Sequence, residues 1–341
     1  MMTLQEHIQA TMAFARLGIG WVLDIILHVG AHRTGSTSFQ NMLRGTAPDL
    51  RKQGVAVWET KHTRDGRFAG LVCPKSQITD KTKSAAMKST THIQFELDRL
   101  DGDGVKTLVV SEENMLGQMR CNLAAHELYP DARFRLGRFS DVFGDRVSRV
   151  VLAVRSQDAV WRSALSYGLN AGLDLVAGTD FDALASAKRR WRHVVSDMSR
   201  AFGSTKLAVW KFEAFAGDAD GQLAIVLGGK SPAKARLLQN QHHASPNAVA
   251  LRKRAVERGL WNLAKTIPEF PAQWQPFNTT QLAGFQAAYA KDLDWLSRQP
   301  ARELEYYGTK IEDKNGICVQ SNPQENLHRG SFDDKRGQRM E

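Results

Sequence analysis

Cysteine is scarce in this chain: Cys73, Cys121 and Cys318 are the only three among 341 residues. They are odd in number, far apart and never in a C-x-x-C pair, which argues against a disulfide framework and gives no zinc-type ligand spacing. A reducing compartment, the cytoplasm, is therefore the expected location. Long apolar runs are missing too. Residues 11–30 are fairly apolar, but Arg16, Asp24 and His28 interrupt them, and Glu6 stands where a basic leader segment would be. Neither a secretory leader nor an integral membrane segment is expected. No internal repeat and no aromatic or zinc-finger nucleic-acid motif is present. The adjacent pair His242-His243 lacks an acidic partner at ligand spacing and reads as loop, so no metal site is expected.

Charge is not scarce. Lysine and arginine number 46 against 36 aspartates and glutamates, a formal net charge of +10. That balance suits an anionic ligand. The triplets Lys188-Arg189-Arg190 and Arg252-Lys253-Arg254 fall in expected helices and read as solvated faces, so no nucleic-acid partner is expected.

Hydrophobic residues make up 42% of the chain, enough for one sizeable core. Apolar runs predict strands at 24–29, 54–58, 106–111, 149–154 and 205–210. Helical periodicity predicts helices at 36–45, 84–100, 157–169, 180–202, 245–258 and 280–297. Alternation of this kind predicts an α/β fold with a central parallel β-sheet flanked by helices. Ligands of such sheets bind beyond the strand C-termini. The expected organisation is an N-terminal extension over 1–23, one α/β domain over 24–306 and a polar, disordered tail over 307–341. Residues 60–83 and 170–180 read as loops above the ligand end, the first as a substrate lid. Trp161, Trp191 and Trp210 are expected in the core.

The most informative segment is Leu27-His28-Val29-Gly30-Ala31-His32-Arg33-Thr34-Gly35-Ser36-Thr37-Ser38. A short apolar run leads into a glycine-bracketed loop with one cation, then into hydroxyls opening a helix. Gly30 and Gly35 permit a tight turn that brings backbone N–H groups close to an anion. Ser36, Thr37 and Ser38 are expected to cap the helix and to donate to phosphate oxygens. The glycines have Walker A spacing, but Ser36 stands where that motif has lysine, and the cation Arg33 precedes the second glycine instead. A second strand, Val150–Val154, ends at Arg155, and Ser163 follows eight positions later in a helix.

The arrangement [KR]-[ST]-G-[ST]-[ST], followed by a strand-end arginine and a serine eight residues on, resembles the sulfotransferases that use 3′-phosphoadenosine-5′-phosphosulfate. The resemblance spans about residues 24–300, with weaker echoes at Leu207–Glu213 and Asn240–Ser245. The R-K-G-x-x-G segment of the cytosolic branch is missing, which points to the bacterial-type or carbohydrate-directed branches. The resemblance implies a P-loop NTPase-like three-layer sandwich. It also implies 3′-phosphoadenosine-5′-phosphosulfate as co-substrate, with no metal required. His32, Arg33, Thr34, Gly35, Ser36, Thr37 and Ser38 would bind the 5′-phosphosulfate, and Arg155 with Ser163 the 3′-phosphate. His32 also reads as packing beside the loop.

Sulfuryl transfer needs a cation at the bridging oxygen and a base for the acceptor. Arg33 is the expected cation, where the family more often has lysine. Candidates for the base are Glu113 and Glu59, then Glu112 and His62; Ser111-Glu112-Glu113-Asn114 resembles the S-x-E segment of bacterial-type members. The acceptor would be a carbohydrate or another small molecule bearing a hydroxyl or amine. The alternatives are a P-loop nucleotide kinase and a non-catalytic nucleotide-binding protein on the same fold. The oligomeric state is not written in the sequence.

Overall fold

The computed structural model describes residues 23–173, 176–229, 231–237, 246–313 and 316–318. Six strands form one parallel sheet: β1 Asp24–His28, β2 Val55–Trp58, β3 Thr107–Ser111, β4 Val147–Val154, β5 Lys206–Lys211 and β6 Leu304–Tyr307, in the order β2-β3-β1-β4-β5-β6. Between and after them run α1 Ser36–Lys52, α2 Asp80–Gly102, α3 Ala132–Phe143, α4 Gln157–Asn170, α5 Trp191–Phe202, α6 Ala219–Leu227, α7 Ala248–Glu257, α8 Trp261–Thr266 and α9 Thr279–Ser297. Further short helices lie at Thr60–Thr63, Met119–Ala125, Phe181–Ser186 and Phe212–Phe215.

The sheet is apolar on both faces, as parallel sheets must be when helices cover each side. Alternate residues of each strand go to opposite layers. Leu27, Val150 and Leu152 join Trp161 and Trp191 in one core, beneath α2, α3, α4, α5 and α9. Ile26, Val151 and Ala208 join Phe39, Trp210 and Phe215 in the other, beneath α1 and α6. The molecule is thus a three-layer α/β sandwich, and all three tryptophans are buried as expected.

Several local expectations change. The helix expected over 180–202 is two helices, broken at 187–190. Lys188-Arg189-Arg190 therefore lies in the break and not on a helix face. There Arg189 donates to the carbonyls of Leu128 and Tyr129, at 2.6 and 2.8 Å, and to Asp197 at 2.6 Å. In the second triplet Arg252 turns inward, to Ile267 O at 3.2 Å and Glu269 at 2.6 Å, while Lys253 stays exposed. Helix α1 continues through Pro48 to Lys52, because Leu43 and Leu50, both fully buried, keep its apolar face on the sheet. The expected lid over 60–83 is not an open loop: Phe68 and Leu71 anchor it in the core, and a capping box of Thr79 with Thr82 starts α2 at Asp80.

β6 has no counterpart among the expected strands. Four residues are too few for a periodicity signal, and only pairing with β5, Leu207 opposite Leu304 and Trp210 opposite Tyr307, reveals it. Tyr307 thus belongs to the sheet, and Ile311–Asp313 pairs antiparallel with Gly316–Cys318 in the segment expected to be disordered. The N-terminal extension over 1–22, the turn Asn240–Ser245 with His242-His243, and the tail over 319–341 lie outside the described residues. Among the described residues no helix is long and apolar enough to cross a membrane.

The strand order positions the site. From β1 the chain moves to β2 on one side; from β4, the neighbour of β1, it moves to β5 on the other. The connections diverge there and leave a crevice at the C-terminal ends of β1 and β4.

Candidate functional site

Both motifs singled out in the sequence open into that crevice. After β1 the chain turns at Gly30, with φ 48°. A Cβ there would stand 3.4 Å from that of Ser36 and 3.5 Å from that of Glu113. Thr34 closes the turn with its hydroxyl on Ala31 O at 2.6 Å. Arg33 has φ 66°, a left-handed conformation that costs a side-chain-bearing residue energy and is characteristic of functional loops. Gly35 follows at φ 80°, and a Cβ on it would come within 3.0 Å of the Phe212 ring.

Gly35 is also the N-cap of α1, and no side chain caps the helix. The expected capping by Ser36, Thr37 and Ser38 is not found, because these residues form the first helical turn themselves. Their N–H groups lack intrahelical partners by position, and the helix dipole adds partial positive charge. Such a helix start suits an anion.

Arg155 directly follows β4. Its Nη1 donates to Arg33 O at 2.7 Å, and its guanidinium lies over the Phe212 ring, 4.7 Å from the centroid. The indole of Trp191 donates to Arg155 O at 2.6 Å and so fixes the strand end from α5. Ser163, two turns along α4, accepts from Arg33 Nε at 2.8 Å. The Arg33 guanidinium also lies over Tyr167, 5.3 Å from the ring centroid. Burial, and then their mutual repulsion, lowers the Arg33 pKa; burial lowers that of Arg155. Arginine remains charged under such shifts, so the crevice holds concentrated positive charge.

These groups line one cavity of about 650 Å³. Arg33, Gly35 and Ser36 to Ser38 form one wall, Arg155, Arg162, Ser163 and Ser166 a second, and Pro246, Asn247 and Pro271 to Trp274 a third. Among the described residues that line it, none is a carboxylate. Arg162, Phe212 and the 271–274 wall were not singled out from the sequence. Arg162 adjoins Ser163, and Phe212 follows β5 as Arg155 follows β4, so adjacency to a motif residue could have found the first and strand-end position the second.

The acidic candidates sit on the other side of the loop, toward β2 and β3, and none lines the cavity. Glu112 is committed to its surroundings. It takes two bonds from Arg64 at 2.9 Å, one from the Thr63 hydroxyl at 2.6 Å and one from Asn114 N at 3.0 Å. Glu59 caps the helix Thr60–Thr63, accepting from Lys61 N at 3.2 Å, from the Thr60 hydroxyl and from Arg44. Burial pushes its carboxyl up, but those donors hold it below the ordinary value. His62 is half-exposed, its Nδ1 3.5 Å from Glu59.

Glu113 stands nearest the loop. It accepts from Gln40 of α1 at 2.7 Å and from Arg64 at 2.8 Å. Burial raises its carboxyl, while His32, Arg64 and Gln40 more than offset this and lower it. His32 packs beside the loop: its backbone N–H donates to the Tyr129 hydroxyl at 2.7 Å and its ring nitrogen lies 3.3 Å from the same oxygen. Burial lowers its pKa, against the opposing pull of Glu113 and Glu112. Comparison with protein-family models, curated proteins and solved structures finds no match to this chain.

Proposed function

We propose that this chain is a sulfotransferase that takes the sulfuryl group of 3′-phosphoadenosine-5′-phosphosulfate and passes it to a hydroxyl or amine acceptor. One observation carries the proposal: two strand-end motifs, remote in sequence, meet in one cavity with no carboxylate among its described lining residues, through the Arg33–Ser163 and Arg155–Arg33 bonds. A donor with phosphates at two separated positions needs two such anion sites facing each other. The first turn of α1, with the hydroxyls of Ser36 and Thr37, would hold the 5′-phosphate. Arg155 and Ser163 would hold the 3′-phosphate, guanidinium and hydroxyl together supplying several donors.

In the reaction the acceptor oxygen or nitrogen forms a bond to sulfur as the bond from sulfur to the bridging oxygen breaks. The electron pair stays on that oxygen, and Arg33 balances the charge developing there. The acceptor proton passes to a base. Glu113 suits that role best: it lies beside Gly30 and takes two bonds, from Gln40 and Arg64, whereas Glu112 takes four and Glu59 three.

The test is calorimetric titration of adenosine 3′,5′-bisphosphate, AMP and magnesium-ATP against wild type and Arg155→Ala. Micromolar bisphosphate affinity that collapses in the variant is expected. Preference for magnesium-ATP would overturn the proposal in favour of a nucleotide kinase. Tight bisphosphate binding without transfer from labelled donor to any acceptor of a broad panel would leave a non-catalytic binding protein.

A further inference from the structure

The third wall of the cavity carries a surface that donor binding does not use. Among the described residues eight large apolar side chains are exposed, and four of them, Val249, Val256, Trp261 and Phe270, fall between residues 249 and 270. Trp261 is 61% and Phe270 65% exposed. Clustered exposure of this kind marks an interaction surface, whereas single exposed apolar residues do not.

Its pattern is specific. On α7, Val249, Lys253 and Val256 recur at i, i+4 and i+7 and so share one outward face. On α8, Trp261 and Lys265 are a further i, i+4 pair. The opposite side of α7 is anchored by the buried Leu251 and Ala255, and Ala264 within α8 and Ile267 after it are buried as well. Val249, Lys253 and Val256 therefore face away from the core. Between residues 246 and 277 the sequence has five cations, at 252, 253, 254, 258 and 265, and two anions, at 257 and 269, a difference of +3. Arg252 and Arg254 pair with Glu269 and Glu257, at 2.6 and 3.2 Å, and Arg258 donates to Gly172 O at 3.2 Å. Lys253 and Lys265 stay exposed beside the apolar residues.

We infer that this face docks on an anionic phospholipid bilayer, lying on its surface. An exposed indole, an exposed phenyl ring and flanking lysines are the combination that interfacial segments use. The rings enter the headgroup boundary, and the lysine stems lie along it with their ammonium groups toward phosphate. Charge complementarity selects this occupant over a neutral apolar partner. The docking unit also walls the cavity: Ala248 N donates to Ala272 O at 2.8 Å, and Asn247 and Pro271 to Trp274 line the cavity itself. If the transfer proposed above holds, docking brings the cavity to acceptors carried on lipid; this consequence rests on that proposal, whereas the docking itself does not.

The experiment is co-sedimentation of the full chain with vesicles of phosphatidylcholine alone and of phosphatidylcholine with phosphatidylglycerol. Wild type, Trp261→Ser/Phe270→Ser and Lys253→Glu/Lys265→Glu are compared, each also titrated with adenosine 3′,5′-bisphosphate and sized by light scattering. Wild type should pellet with the anionic vesicles only. Each double variant should lose at least about tenfold in partitioning, on the scale of a few-fold per surface cation, with unaltered nucleotide titration and mass. Failure of wild type to pellet, or equal pelleting by all three proteins, overturns the inference. So does a wild-type dimer that Trp261→Ser/Phe270→Ser dissociates, since a second copy then covers the face. The vesicle assay contains no nucleotide, so its failure and the failure of the transferase proposal are read separately.

Discussion

Arg33 and Ser163, 130 positions apart, are joined by a hydrogen bond of 2.8 Å from Nε to Oγ. This bond links the loop after β1 to the helix after β4 and makes two separate strand ends facing walls of one cavity. Removing the Ser163 hydroxyl, or the Arg155 guanidinium that also bonds to Arg33, should therefore weaken a ligand that bridges both strand ends. Ser163→Ala is expected to lower affinity for adenosine 3′,5′-bisphosphate about tenfold, and Arg155→Ala about a hundredfold, the difference between losing a hydroxyl and losing a charged donor. Neither should change the weaker affinity for AMP by more than about twofold, which calorimetry resolves.

The conformation of Gly35 makes a separate prediction. Gly35→Ala meets both a left-handed backbone and the Phe212 ring at 3.0 Å. It should destabilise the fold by about 2 kcal/mol. Adding Phe212→Ala should recover only the steric part, so a double-mutant cycle by urea unfolding should show positive but incomplete rescue.

Glu112 and Glu113 are neighbours with different expected phenotypes. Glu113→Gln should reduce sulfuryl transfer by about 10² to 10⁴ while bisphosphate affinity holds. Glu112→Gln disrupts a charged bidentate pair on a carboxylate that is only 1% exposed. It should lower unfolding free energy by about 2–3 kcal/mol. Transfer assays and urea melts run on both variants separate the roles; a reversed pattern would exchange the assignments.

Two buried groups set opposite pH dependences. Burial lowers His28 from 6.5 to about 4. The unfolded chain then binds its proton first, so stability falls as pH drops from about 6.5 toward about 4. Replacing His28 with Gln should flatten that limb of the stability–pH curve.

Asp292 runs the other way. It is fully buried, and burial raises its carboxyl from 3.8 to about 6; one oxygen accepts from Trp191 N at 3.0 Å. A raised folded-state value gives stability that is present below about 3.8 and lost as pH rises through about 6. Asp292→Asn keeps the acceptor and removes the charge. It should stabilise the protein by about 2 kcal/mol at neutral pH and by little near pH 4.

Much of the architecture was legible in local pattern. Five strands and the helices α1, α2, α4, α7 and α9 were readable because buried parallel strands are continuous apolar runs and covering helices are amphipathic. The loop from Gly30 to Ser38 was readable because a phosphate cradle needs glycines and hydroxyls at short range. The break at 187–190 was not, because it follows from Arg189 reaching the Leu128 and Tyr129 carbonyls. β6 was not, because its identity lies in its pairing with β5. Nor was the division of labour among the carboxylates. Glu59, Glu112 and Glu113 are equivalent as strand-end acids; only the donors around each distinguish them. The sequence by itself thus determined the order of layers and the chemistry at each strand end, which depend on neighbours within a few residues. Tertiary structure alone decided which ends share a cavity, which acids are spent on ion pairs and which apolar face is left exposed. Those are contacts between residues tens to more than a hundred positions apart, and local periodicity carries no record of them.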